Sequence, residues 1–338
     1  MPLHAIDDIG DAIDATKSLL LPFAARTWLR LAVIVLFIGG GGGGFNGLQN
    51  IGNFGDSGQP TPSGSSPLMT EGAVPTNPDA LLAELGTELL VIAGLFVLLA
   101  LVAALLSNFM EFVFVESLVS GEVHIRQYLR ENIGNGVRLF AFRLAVTLVS
   151  LVLVVGFLLT IFFTVFGGSV DNITAEAAFG ILPLAIVFFV AFALVQGLVT
   201  GFTNMFVVPM TLTNDRGLLG NWGRLLGSIR RNIKQYLGYL AFSIVLGIGV
   251  SIVGGILGFI AVLLLAIPFV LIGALCWFGL GGGAASMALV GVTVVLFVIS
   301  LLLVSNLIQV PLQAFLRYYA MLVLGDIDEP LDPMPEIR

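Results

Sequence analysis

Residues 122–143 read Glu122-Val-His-Ile-Arg-Gln-Tyr-Leu-Arg-Glu-Asn-Ile-Gly-Asn-Gly-Val-Arg-Leu-Phe-Ala-Phe-Arg143. The stretch carries Arg126, Arg130, Arg138 and Arg143 and lies between two long apolar runs. Its ending is echoed elsewhere: Arg143-Leu144-Ala145-Val146 matches Arg30-Leu31-Ala32-Val33, and Tyr239-Leu240-Ala241-Phe242 is a weaker third copy. Each copy reads as the inner entrance to a membrane-crossing helix.

The surrounding composition supports that reading. The chain is 58% hydrophobic and 10% charged, with a mean hydropathy of +1.06. Soluble domains average roughly 25% charged residues. So much apolar surface needs lipid as its solvent. The expected class is an all-α, polytopic membrane bundle forming one domain over 1–325, with an acidic tail at 326–338.

Outward from the opening stretch, residues 6–20 predict a short amphipathic helix on the membrane surface, with Ile6, Ile9, Ile13 and Leu20 on one face. Pro22 separates it from a first span, Trp28 to about Gly44, which ends in six consecutive glycines, Gly39 to Gly44. Residues 45–80 are rich in Gly, Ser, Pro and Asn and predict a flexible outer loop. No Gly-Lys-Ser/Thr follows the glycines, so they are not a phosphate loop. Further spans are predicted at Leu85–Leu106, Leu144–Phe166 and Phe179–Val208. A second amphipathic segment, 214–235, places Leu218, Trp222, Leu225, Leu226, Ile229 and Ile233 on one side.

Tyr236 to Leu316 contains no charged residue. A fifth span starts at Tyr236 and a last one ends near Val304. Gly254-Gly255, Pro268 and Gly279–Gly283 are expected to break this run, giving a re-entrant segment or an extra pair of spans. Six spans are expected, with eight as the alternative.

Charge sets the expected orientation. All 14 Lys and Arg fall in 1–30, 126–143, 216–234 and 317–338, alternating with loops that have none. This positive-inside pattern places both termini in the cytoplasm of a cell-membrane protein. Asp56, Glu71, Asp79, Glu84, Glu88, Asp171 and Glu176 fall outside and account for the net charge of −7. The five tyrosines, with Trp28 and Trp222, are expected to form an inner interfacial belt. Acidic loops and scarce lysine suit a salt-adapted organism. Asp7, Asp8, Asp11 and Asp14 stand where a cleavable signal would be basic. The single cysteine, Cys276, is expected to be a packing residue.

Three units follow, about 6–120, 121–214 and 215–325, each an amphipathic segment and a hairpin of spans. Their returning spans end in Ser107-Asn108-Phe109-Met110-Glu111, Thr200-Gly201-Phe202-Thr203-Asn204 and Ser305-Asn306-Leu307-Ile308-Gln309. Arg130-Glu131-Asn132-Ile133 likewise matches Arg230-Arg231-Asn232-Ile233.

The acidic N-terminal segment with Trp28-Leu29-Arg30-Leu31, the Gly39–Gly44 run and the Glu116–Arg143 segment resemble an uncharacterised family of haloarchaeal six-span membrane proteins. That family is more distantly similar to the membrane domain fused to bacterial glycerophosphoryl diester phosphodiesterases. The resemblance spans nearly the whole chain and implies fold and location. The phosphodiesterase catalytic domain has no counterpart, so hydrolysis is not implied.

Candidate residues are few. Acids at membrane depth need a partner or water. Glu111 and Glu116, with Asn108, Asn204 and Gln309, could therefore form an ion or proton site, or the two glutamates could make a structural ion pair with Arg30 or Arg143. Gln196, central in the fourth span, could bond between helices. Arg224, Arg230, Arg231 and Lys234 could hold anionic lipid headgroups. Asn172-Ile173-Thr174 is a glycosylation sequon. His4 and His124 are the only histidines, and neither a metal nor another cofactor is implied. Inner acids balance inner bases, which argues against a nucleic-acid partner. The residues suggest a non-enzymatic membrane scaffold or accessory subunit that organises lipid or a partner protein. The alternative is a transporter or channel for a small solute or ion, using Glu111.

Overall fold

A computed structural model describes residues 4–38, 87–169, 174–213 and 217–334. Among these residues the fold is entirely helical, without strands. The helices are α1 (His4–Leu20), α2 (Ala25–Ile38), α3 (Thr87–Ser120), α4 (Ile125–Glu131), α5 (Ile133–Thr164) and α6 (Ala175–Phe202). A π-helical turn, Thr203–Val207, leads into α7 (Val208–Thr213). Then come α8 (Gly217–Arg231), α9 (Ile233–Gly279) and α10 (Ala284–Ile327), closed by a 3₁₀ turn at Glu329–Leu331.

Five helical stretches are long and apolar enough to cross a membrane, and a sixth exists if the bent pair α1–α2 counts as one span. The α2 helix has only 14 described residues, about 21 Å at 1.5 Å per residue. The glycine run, the 45–80 loop and Asn172 lie outside the described residues.

Of the breaks expected after Tyr236, the one at Gly279–Gly283 falls at a turn, and those at Gly254-Gly255 and Pro268 are corrected. Helix α9 runs unbroken for 47 residues through Gly254-Gly255 and Pro268, and α10 for 44. The only interruption is the turn at 280–283, where Gly281 and Gly282 have φ of 71° and 73°. In lipid a broken helix strands backbone groups without water to satisfy them, so a glycine or proline within the run is carried along. Gly254 also has a packing reason, since a Cβ there would stand 3.0 Å from Leu312 Cδ1 of α10. The extra pair of spans is therefore excluded, and α9–α10 is one long hairpin.

The molecule divides into a packed base and apolar arms. Buried side chains concentrate at one end: Leu31, Ile34, Val35 and Ile38 of α2, Phe112–Val115 and Leu118 of α3, Leu139, Phe206–Met210, Leu225 and Tyr318–Leu324 of α10. The other ends of the same helices expose apolar residues, among them Val91–Val102, Leu148–Val155, Leu182–Val195, Ile244–Leu280 and Met287–Leu303. Helices α2, α3 and α5 pack in sequence, and α10 packs on both α1 and α2. The α3–α5 contact is close at Gly136, where a Cβ would come within 1.9 Å of the Phe109 ring. Farther out, α5 and α6 meet through Phe157 stacked on Phe188, centroids 3.7 Å apart.

Several expected faces are corrected by this base. All five tyrosines (Tyr128, Tyr236, Tyr239, Tyr318 and Tyr319) are buried in it and form no interfacial belt. They find partners there: Tyr239 lies on Phe206 at 4.8 Å and stacks with Tyr319 at 5.9 Å. The Tyr318 hydroxyl donates to Leu118 O, satisfying the polar end that a buried tyrosine carries. Helix α1 does not simply lie on a surface; it docks on α10 through Ala12, Ala15 and Leu20 and leaves Ile13 exposed. Helix α8 likewise buries Leu218, Asn221, Leu225 and Ser228 and leaves Leu226 exposed, as is Ile233 at the start of α9. The buried polar pair of α8 is tied to neighbouring helices, since Asn221 Nδ2 donates to Thr211 Oγ1 and Tyr236 donates to Ser228 Oγ. Trp28 and Trp222 are half-buried against the same core.

Candidate functional site

Helix α3 places Asn108 and Glu111 three residues apart, which is one helical face. That face meets Arg143 on α5, Asn204 in the π turn and Arg317 on α10. Arg143 donates from Nη1 to Asn108 Oδ1 at 2.8 Å and from Nη2 to Asn204 Oδ1 at 2.7 Å. Its Nη2 also stands 3.6 Å from Glu111 Oε2. Arg317 closes the group: Nη2 pairs with Glu111 Oε1, and Nη1 donates to the backbone carbonyl of Asn204. Glu111 and Arg317 are each only 2% exposed.

The chain explains why that carbonyl is free. In the π turn the N–H of Val208 reaches back five residues to Thr203 O. The next donor in that register would be residue 209, but Pro209 has no N–H. A buried carbonyl without a partner is costly, and the Arg317 guanidinium supplies one. Asn108 is oriented by its own turn, its Nδ2 donating to Ala104 O at 2.7 Å, which leaves Oδ1 for Arg143.

Of the sequence candidates, Asn108, Glu111 and Asn204 are brought together, and the pairing of Glu111 with Arg143 holds. Arg30 is not its partner; it donates to Val123 O at 2.7 Å and secures the turn before α4. Glu116 belongs elsewhere. Its carboxylate accepts from Asn132 Nδ2 at the break between α4 and α5. Asn132 in turn accepts from Asn135. Gln309 is half-buried on α10 and takes no part in the Glu111 group.

Arg317 was missed because it looked like the first base of a cytoplasmic end. The signal was present: Ala314-Phe315-Leu316 precede it and Tyr318-Tyr319-Ala320-Met321 follow, so it is a lone charge inside an apolar run. Such a charge must be paired when buried.

The proposed headgroup bases split. Arg230 and Lys234 are exposed, Arg224 is half-buried, and Arg231 is held by Asp328 at 2.7 Å. Asn232 beside it donates to Ile327 O, so this corner ties the start of α9 to the end of α10. His124 lies 3.5 Å from Glu122 and edge-on to Tyr128.

Beside the buried group, a cavity of about 270 Å³ opens between α3, α5 and α6. Asn108, Arg143, Thr147, Gln196 and Thr200 supply polar lining, and Leu101, Phe142 and Leu144 supply apolar lining. Arg143 is the member of the ion-paired group that reaches this space, its side chain being 23% exposed. Gln196 makes no hydrogen bond within the described residues.

Long apolar hairpins tied at a buried ion-paired base make this a multi-pass α-helical membrane protein. The chain belongs to DUF7544, a family of unknown function, which it matches over residues 3–334. No curated protein and no solved structure matches it.

Proposed function

We propose that this is a non-catalytic membrane scaffold or accessory subunit, whose cytoplasmic base holds lipid-embedded arms so that they organise lipid or a partner protein. The observation that carries the reading is the state of Glu111. Two arginines from different helices form ion pairs with it, and burial removes it from water. An acid so paired joins α3, α5 and α10; it is poorly placed to exchange a proton or an ion with each transport cycle. The pairing is costly to break, since removing one partner of a buried pair typically loses about 3–5 kcal/mol.

The base is built from three degenerate units in this reading. Asn132 and Asn232 occur in matching sequence and each interrupts a helix, α4 from α5 and α8 from α9. Each amphipathic segment rests on a returning helix: α4 on α3, α8 on the π turn and α7, and α1 on α10. The last contact would close the three units into a ring about the membrane normal. Sidedness comes from the arginine and lysine distribution, which puts the base in the cytoplasm of a cell membrane. Salt adaptation and the likeness to the phosphodiesterase-fused membrane domain belong to the same reading.

The cavity beside Arg143 favours the alternative, a transporter of a small solute, but it ends on the closed ion-paired group. Proteoliposomes holding the full chain decide between the two. Proton, sodium and chloride fluxes should match those of empty liposomes. A saturable flux that Glu111→Gln abolishes would replace the scaffold with a transporter. Co-purification from native membranes should then recover a stoichiometric protein or lipid partner.

A further inference from the structure

The ion pairs of the buried group join one carboxylate, Glu111, to two guanidiniums, Arg143 and Arg317. One positive charge is left in excess. A charge at such depth demands a counter-charge or a path to water. Asn108 and Asn204 give Arg143 neutral oxygens, which orient it without cancelling its charge.

Two further observations point into the same space. Arg143 reaches the cavity between α3, α5 and α6, and Gln196 on α6 lines it with an amide that has no hydrogen-bond partner within the described residues. Thr200 lies one turn from Gln196, so α6 turns a polar face to the cavity opposite Arg143 and Thr147 of α5. A volume of about 270 Å³ lies just under the roughly 300–1,000 Å³ of sites for drug-sized ligands. It suits a headgroup or a small anion.

We infer that this cavity binds one phosphate-type anion, with Arg143 as its charge partner and the Gln196 amide as a second donor. Guanidinium and phosphate match in geometry as well as in charge. The surroundings favour a lipid as the carrier. Leu144, Leu148, Val195 and Leu198 around this level are exposed apolar side chains, so an attached acyl chain would run along the arms. The inference rests on the scaffold reading only in that the bound anion stays in place. Flux tests that reading, whereas binding tests this one.

The experiment uses the full chain, purified in neutral detergent and washed free of native lipid. Native mass spectrometry is used to titrate it with short-chain phosphatidylglycerol, short-chain phosphatidylcholine and inorganic phosphate in separate arms. Both lipids carry a phosphodiester that Arg143 can hold, but the choline cation cancels the charge of the zwitterionic one, so the anionic lipid should bind about tenfold more tightly. Arg143→Gln should remove that preference. Because Arg143 also belongs to the ion-paired group, Gln196→Leu is the second variant. It should weaken binding about threefold, the loss of one neutral hydrogen bond, with an unchanged melting temperature. Binding of inorganic phosphate that displaces the lipid would keep the anion site and identify a soluble anion as its source. Equal binding of both lipids, no phosphate binding and no effect of Gln196→Leu would overturn the inference.

Discussion

The base and the arms are made of the same helices and nearly the same residue types, yet they are held by different forces. In the base, Phe112, Phe114, Leu118, Phe206 and Leu225 are buried against other helices, and polar groups are paired across them. In the arms, leucines and valines of equal hydropathy face outward. The difference teaches that lipid supplies no reason for one apolar helix to leave it for another. Association has to come from packing, close approach and polar ties. Those ties are gathered at the base: the Glu111 group, the Glu116–Asn132 bond, the Arg231–Asp328 pair and the tyrosine hydroxyls.

Substitutions at six positions would break or sharpen that contrast. Glu111→Gln leaves the buried Arg317 and the half-buried Arg143 without a carboxylate and should cost about 3–5 kcal/mol. It should appear as a steep loss of folded protein by fluorescence-detected size exclusion on heating. The double variant Glu111→Leu with Arg317→Leu should be less damaging than the sum of the two singles, because the partners go together. Leu139→Ala, at a fully buried position of α5, should lose about 2–5 kcal/mol through the cavity it leaves. A melting temperature as high as that of the unaltered chain would mean that the base is not tightly packed.

Gly136→Ala should cost about 1–3 kcal/mol by overpacking against Phe109. Phe109→Ala in the same chain should recover part of the loss. The smallest effect is expected in the arms. Val152 is 70% exposed, and Val152→Ala should stay within about 0.5 kcal/mol. A loss comparable with that of Leu139→Ala would show that the arms are packed against something, a partner or a second copy.

Much of the architecture was legible beforehand because helices in lipid must be long, apolar and internally hydrogen-bonded. The runs predicted from Leu144, Phe179 and Tyr236 begin within such helices, and α3 covers the described part of the run predicted up to Leu106. The breaks assigned to Gly254-Gly255 and Pro268 failed for the same reason. In water those residues would end a helix, but in lipid the cost of freed backbone groups exceeds the preference of a single residue. The site was half legible. Glu111 and Arg143 stood out as charges at the edge of apolar runs. Arg317 was hidden by its distance in sequence from both, and the use of the Asn204 carbonyl depended on a π turn followed by Pro209.

The sequence by itself determined the solvent of this protein and the helical class. Both follow from summed quantities, apolar length and charge count, that no packing arrangement alters. Tertiary structure alone decided which side of each helix is covered. It set α1 on its alanines, buried five tyrosines expected at an interface, and brought Arg317 to Glu111. When every side of a helix is apolar, periodicity no longer distinguishes lipid from protein, and only the shapes of neighbouring helices do.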